Sequence, residues 1–274
     1  MSVSQNEKAV RFRALHERNG LFVIPNPWDA GSSRLLAGMG FHALASSSGA
    51  AATSIGKRDG SLTRDQAMEH SRMIVDATDL PVSADLERGF GEAPEVVAET
   101  IRRAAAAGLV GCSIEDSSGN PDQPLYDQSL ATERIAAAVE AAHALPFPFI
   151  LTARAHNFIY PNASLDDAIR RLQAYERAGA DVLFAPALPD LASVRTVCKA
   201  VSKPVSFMAG IKGRSFTVNE LAAAGVKRIS LATSLYRAAM TAVLNAAFEV
   251  KESGQFGFVD RCLTTAELYK LMGI

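Results

Sequence analysis

The chain has 274 residues, 48% of them hydrophobic, and a net charge of −1, enough apolar material for one large core. The balanced charge gives no electrostatic reason to expect nucleic acid or an anionic membrane as partner, and no apolar run reaches the ~20 residues that span a bilayer. The polar start, Met1 to Lys8, lacks a signal peptide's apolar stretch. The widely separated Cys112, Cys198 and Cys262 argue against a disulfide framework or a zinc cluster and fit a reducing cytoplasm.

In chain order, residues 5–19 carry a helical pattern stopped by Asn19-Gly20, and Leu21–Ile24 reads as a buried strand cut by Pro25. A helix is expected over 28–36 and a strand over 41–45, which runs into Ser46-Ser47-Ser48-Gly49. A helix capped by Thr63 covers 63–77, and the third strand is 81–85. Helix 93–107 and strand 111–115 come next, then a loop at 117–130 rich in Ser, Gly, Asn, Pro and Asp. Helices at 131–143, 165–178, 190–200 and 217–223 alternate with strands at 147–152, 181–185, 205–208 and 228–232, and a last helix begins near Ser234. Eight strands alternating with helices predict an α/β fold, a (β/α)8 TIM barrel. An open doubly wound sheet is the alternative, but no Gly-x-Gly-x-x-Gly follows the first strand. The expected organisation is one barrel domain over 1–274, with a core at about 10–245 and a helical extension at 246–274 suited to a subunit contact.

Active sites of such barrels sit at the C-terminal ends of the strands. There the chain places Asn26, Ser46–Ser48, Asp85 with Glu87, Glu115 with Asp116, Arg154 with His156, and Thr233 with Ser234, while strand interiors read as almost wholly apolar. Asp85 and Glu87, two apart, share a face of their strand. Carboxylates held that close repel unless a proton or cation lies between them, and Mg²⁺ suits oxygen ligands. Asp85, Glu87 and Glu115 are therefore candidate Mg²⁺ ligands, direct or through water. Arg154 either binds a substrate carboxylate or phosphate bidentately or pairs with Glu115. Ser46, Ser47 and Ser48 either cradle a second anionic group or satisfy their own turn. Asn26 and His156 complete the candidate substrate contacts, although a loop histidine is the plainer reading of His156. Cys112 shares parity with Ile114, opposite Glu115, and is expected to face the helices.

These motifs resemble the isocitrate lyase/phosphoenolpyruvate mutase superfamily over nearly all of residues 10–240. The resemblance rests on Pro25-Asn-Pro-Trp-Asp-Ala30, the serine loop 46–49, Gly56-Lys-Arg-Asp59, Asp85-Leu-Glu-Arg-Gly-Phe-Gly91, Ile114-Glu-Asp116, Thr152-Ala-Arg154 and Arg228-Ile-Ser230. It implies a barrel whose eighth helix swaps between subunits, a homodimer or homotetramer, and Mg²⁺ (or Mn²⁺) with an enolate intermediate. It also implies Ser46, Ser47 and Ser48 on substrate, Asp85 on the metal, Glu87 and Glu115 on the metal or its waters, Arg154 on a substrate carboxylate, and Asp59 near the metal-bound substrate. The chain looks like a carboxyphosphonoenolpyruvate phosphonomutase-like member without the lyase cysteine loop.

That departure narrows the reaction. Lyases of the superfamily carry Lys-[Lys/Arg]-Cys-Gly-His on the loop after Glu-Asp, with the cysteine as acid, but Ser117 to Ser129 has no cysteine, lysine or histidine. The same absence of lysine argues against phosphonate chemistry, and Ala185-Pro186 stands where lyases carry a glutamate. The remaining expectation is a Mg-dependent lyase on a small 2-oxo or 2-hydroxy di- or tricarboxylate such as oxaloacetate, with Tyr126 or a metal-bound water as proton donor. The alternatives are a phosphonate mutase or hydrolase, or a 2-oxo-acid-binding member with little turnover.

Overall fold

A computed structural model describes residues 3–274; Met1 and Ser2, at the head of the polar N-terminal stretch, lie outside the described residues. Eight strands, Phe22–Ile24 (β1), Leu44–Ala45 (β2), Val82–Asp85 (β3), Gly111–Glu115 (β4), Ile150–Arg154 (β7), Val182–Phe184 (β8), Val205–Met208 (β9) and Arg228–Ser230 (β10), form one sheet in the order β1-β10-β9-β8-β7-β4-β3-β2. All neighbours are parallel. The ends β1 and β2 meet where the Ala45 N–H donates to Pro25 O at 3.0 Å, which draws the sheet round into a (β/α)8 TIM barrel.

Helices cover the outside: Gln5–Glu17 (α1), Ala30–Gly38 (α2), Ser48–Ser54 (α3), Arg64–Asp76 (α4), Pro94–Ala106 (α5), Gln128–His143 (α6), Leu165–Arg177 (α7), Leu191–Ala200 (α8), Val218–Ala223 (α9), Ser234–Ser253 (α10) and Thr265–Met272 (α11). Thr63 caps α4 as expected, in a reciprocal box with Gln66. The main core lies between strands and helices, where Cys112, Ile114, Leu151, Ala153 and Leu183 are fully buried. Cys112 therefore faces the helices.

Four features depart from the sequence reading. The strand expected at 147–152 starts only at Ile150, because Pro146 and Pro148 have no N–H to give a ladder. The serine loop does not stay a loop: Ser47 caps α3, its hydroxyl accepting from the Ala50 N–H. The segment expected as loop 117–130 contains an antiparallel hairpin, Ser117–Asn120 (β5) with Gln123–Leu125 (β6). Finally, the barrel interior is polar. Arg228 lies inside it, with its guanidinium on Ser206 Oγ and Thr152 Oγ1, and Ser83, Ser113 and Ser230 border the space above.

The C-terminal extension behaves unevenly. α11 packs on α2 of its own chain, so closely that a side chain at Gly38 would collide with Leu271 O. α10 buries only Tyr236 and leaves Met240, Val243, Leu244 and Phe248 exposed.

At the other end of the barrel, α1 acts as a plug. His16 sits edge-on between Phe12 and Phe22. Its Nδ1–H donates to Phe12 O at 2.9 Å, so Nε2 presents a lone pair toward Arg228 Nη1 at 3.5 Å. Burial, with the Arg228 charge, pushes this imidazole down to about 3. The unfolded chain therefore binds a proton here that the folded chain refuses between the ordinary value of about 6.5 and about 3, and stability falls as pH drops through that window. Replacing His16 by Gln is expected to flatten the acid side of the stability curve, by up to about 1.4 kcal/mol per pH unit. Thermal melting of both proteins from neutral to mildly acidic pH checks this, and identical slopes would remove His16 from the account.

Candidate active site

The strand ends build a mouth of about 320 Å³, bordered among others by Ser47, Ser48, Asp59, Asp85, Glu87, Glu115, Ser117, Arg154, His156 and Tyr160. Asp85 and Arg154 stand at its centre because β3 and β7 both end there, flanking β4. Asp85 Oδ1 accepts from Arg154 Nη1 at 2.7 Å, from Glu87 N–H at 3.2 Å and from Ser113 Oγ at 3.3 Å. Its Oδ2 accepts from Ser48 Oγ at 3.1 Å. Burial opposes the charge on Asp85, but Arg154 and these donors outweigh it and hold the carboxyl below its usual range.

Arg154 is engaged on both terminal nitrogens. Nη2 reaches Glu115 Oε2 at 3.1 Å and donates to His156 Nε2 at 2.8 Å. Only its Nε–H, buried, has no protein partner among the described residues. The pairing with Glu115 posed by the sequence is thus present, and Asp85 shares it. His156 is neutral: burial and the Arg154 charge push it down to about 3. Its Nδ1 lies 3.4 Å from Glu115 Oε1 without the geometry of a hydrogen bond.

The other carboxyls carry the surplus charge. Burial and the charges of Asp85, Asp59 and Glu115 push Glu87 up to about 8. Its backbone sits at φ 50°, a left-handed conformation that non-glycine residues rarely adopt. Burial, opposed by Arg154 and reinforced by Asp85, pushes Glu115 up to about 7. Asp59 is exposed as a residue, yet its carboxyl turns inward beside Gly49, where an added Cβ would lie 3.1 Å from Oδ2. Cover by the protein around it and the Asp85 charge raise that carboxyl too. Among the described residues, however, no three Asp, Glu, His or Cys side chains converge as a ready metal cage. The guanidinium fills the space between Asp85 and Glu115, so the expected trio of Asp85, Glu87 and Glu115 surrounds the mouth without meeting at a point.

Three expected site residues lie elsewhere. Asn26 is a strut at the barrel seam: its amide donates to Ser46 O at 3.0 Å and its Oδ1 accepts from Leu231 N–H at 2.9 Å and Ser230 Oγ at 3.1 Å. Ser46 faces the barrel interior, its Oγ accepting from Asp85 N–H at 3.1 Å. Tyr126 is buried, with the Arg134 guanidinium 4.4 Å from its ring centroid, because the hairpin turns the chain back behind the mouth. The phenol that does border the mouth is Tyr160, which shares a 3.0 Å hydrogen bond with Ser117 Oγ. It follows β7 by six residues, beyond the strand end, and the only sequence signal is a tyrosine in the short segment after that strand. Asp116, beside Glu115, is structural: it accepts from His156 N–H at 2.8 Å, Arg171 Nη1 at 3.0 Å and Tyr175 OH at 2.6 Å.

A sequence profile of phosphoenolpyruvate phosphomutase matches residues 12–251. The 2-methylisocitrate lyase of Escherichia coli K12 is 32% identical, over 98% of this chain and 93% of that protein. A Burkholderia cenocepacia J2315 structure, described provisionally as a lyase/mutase, is 50% identical with a TM-score of 0.96 and covers 98% of both chains. The structure of 2,3-dimethylmalate lyase is 26% identical with a TM-score of 0.87, over 97% of this chain and 95% of that one. With a profile spanning most of its length and a full-length relative above 30% identity, the chain belongs to the phosphoenolpyruvate phosphomutase family of the isocitrate lyase/phosphoenolpyruvate mutase superfamily.

Proposed function

We propose that the chain is a Mg²⁺-dependent carbon–carbon lyase that cleaves or decarboxylates a small 2-oxo or 2-hydroxy dicarboxylate of oxaloacetate type. The observation that carries this reading is the crowding of Asp59, Asp85, Glu87 and Glu115 round the single guanidinium of Arg154. Burial, and then the neighbouring carboxylates, push two of those carboxyls up to about 8 and about 7, so a cation beside them would relieve both. The donor set is all oxygen, which fits a hard dication. Asp85 is the direct ligand in this reading, with Glu87 and Glu115 acting through water. Bound there, the ion supplies Lewis-acid stabilisation of negative charge developing on a substrate oxygen. The relatives named for 2-methylisocitrate and 2,3-dimethylmalate cleavage point to the same bond type.

The chain's own groups have separate tasks. With Asp85 engaged by a metal, Arg154 would turn guanidinium donors, beside its unpartnered Nε–H, to a substrate carboxylate. Ser47 and Ser48, at the start of α3, offer hydroxyls to the other end of the substrate. The segment 117–129 has no cysteine, lysine or histidine, so proton delivery falls to Tyr160 through or beside Ser117. The profile match to a phosphomutase keeps phosphonate chemistry as the second reading.

Assays of oxaloacetate, 2-methylisocitrate, malate-type acids and phosphonopyruvate with Mg²⁺ test the proposal. Oxaloacetate conversion to pyruvate, faster than with free Mg²⁺, is expected, with loss on chelation and a drop of roughly 100-fold or more in Asp85→Asn. Turnover of phosphonopyruvate alone selects the second reading, and silence across the panel refutes both. Tyr160→Phe is expected to lower kcat by about 100-fold with little change in KM, in the range of a lost general acid, while Tyr126→Phe keeps kcat near wild type. The reverse order would return the proton donor to Tyr126.

The exposed apolar side of α10 is too continuous for a monomer surface, and we propose that it docks on a second copy, in the swapped arrangement the family resemblance implies. Leu244→Glu with Phe248→Glu is expected to convert a dimer or tetramer into monomer by light scattering. A wild-type monomer would overturn this.

A further inference from the structure

The barrel axis below the Asp85–Arg154 pair is not filled with branched side chains. A cavity of about 60 Å³ lies there, bordered by Ser83, Ser113, Ser230, Asn26 and Arg228. Asp85 and Arg154, with Ser47, Met208 and Ala232, border both this cavity and the mouth, so the two spaces adjoin at the ion pair.

Arg228 is 6% exposed and enters from the deep end of β10. Its Nε donates to Ser206 Oγ at 3.2 Å, its Nη2 to Thr152 Oγ1 at 2.9 Å, and its Nη1 faces His16 Nε2 at 3.5 Å. All three partners are neutral, and Arg228 makes no ion pair among the described residues. Three contacts leave part of a five-donor fork unused. Taking a cation out of water without a counter-charge costs several kcal/mol, so the position calls for an anion. Ser83, 4% exposed, also borders the cavity and brings a hydroxyl to its wall. The one carboxylate on the wall, Asp85, is already answered by Arg154, Ser113 and Ser48.

The cavity is small: about 60 Å³ against about 320 Å³ for the mouth, which suits a small ion rather than the proposed substrate. We propose that the barrel interior binds one small inorganic anion of the halide class, held by the Arg228 guanidinium and the hydroxyls of the cavity wall, below the mouth. The anion neutralises the buried cation, and Ser206 and Thr152 fix the fork that faces it.

Bromide is the probe. Crystals of the full chain soaked in sodium bromide are expected to show an anomalous peak inside the barrel beside Arg228, absent from Arg228→Met. In solution, sodium chloride is expected to raise the wild-type melting temperature by about 3 °C or more over sodium gluconate at equal ionic strength, because gluconate is too large to enter. Arg228→Met should lose that difference, whatever its own baseline stability. If Arg228→Met does not fold, Ser83→Ala provides the same comparison, with a reduced halide shift expected. Water alone in the cavity, bromide only on the outer surface, a barrel peak that survives Arg228→Met, or equal melting of the wild type in both salts would each overturn the proposal. None of these readouts depends on turnover, so they stand or fall apart from the proposed lyase activity.

Discussion

The ion pair between Asp85 and Arg154 is the constraint on which the site depends. Its side chains are 20% and 10% exposed, so each charge has given up most of its water. A buried pair of this kind contributes little net stability, yet removing one partner costs about 3–5 kcal/mol. Its position therefore says more about charge management than about holding the barrel together. Arg154 is the one cation at the centre of the mouth, and Asp85 takes the largest share of it. Glu87, Glu115 and Asp59 lose water on burial and then face the Asp85 charge, which is why all three carboxyls are raised.

That arrangement needs a rigid frame, and the frame is made of polar groups that never face the mouth. Asn26 ties β1 to the ends of β2 and β10 across the seam where the sheet closes. Asp116 holds the backbone of His156 and also receives Arg171 and Tyr175 from α7. Arg171 reaches on to Tyr126 O at the foot of the hairpin. The loop after β4, the loop after β7 and α7 are thus fastened to one carboxylate. Burial pushes Asp116 up, but its donors are internal and complete, so it reads as a buried fastening. Glu115, one residue earlier, faces the mouth by the alternation of the strand. Adjacent carboxyls take different roles because the pleat sends them to different sides.

The same alternation explains what could be read from the sequence. Short apolar runs bounded by Gly, Pro and Asn marked the strands, and carboxylates at their ends marked the mouth. The serine run was ambiguous because a hydroxyl at a strand end serves equally as substrate contact, helix cap or backbone acceptor. Ser47 Oγ caps α3 and Ser46 Oγ accepts from a backbone N–H, arrangements that only the fold of 48–54 into α3 reveals. Composition hid the hairpin, since Ser, Gly, Asn and Pro write turns and short ribbons alike. Tyr126 and Tyr160 were indistinguishable as phenols in loops. Their difference is set by the reversal of the chain at 120–123, a tertiary event without a periodic signal.

The polar interior was hidden for a related reason. Ser83, Thr152, Ser206 and Arg228 stand among apolar neighbours in strands that read as buried, and a buried strand looks the same whether its second face meets helices or the barrel axis. In many such barrels branched apolar side chains fill that axis. Here it descends from a carboxylate rim through Arg154 and a layer of hydroxyls to Arg228, with neutral His16 closing the end. Charges along a low-dielectric line act on one another with little screening, so the lower cation also bears on the upper pair. The plug at His16, the cavity and the mouth are consequently parts of one electrostatic column, and the strand ends that carry the chemistry sit at its top.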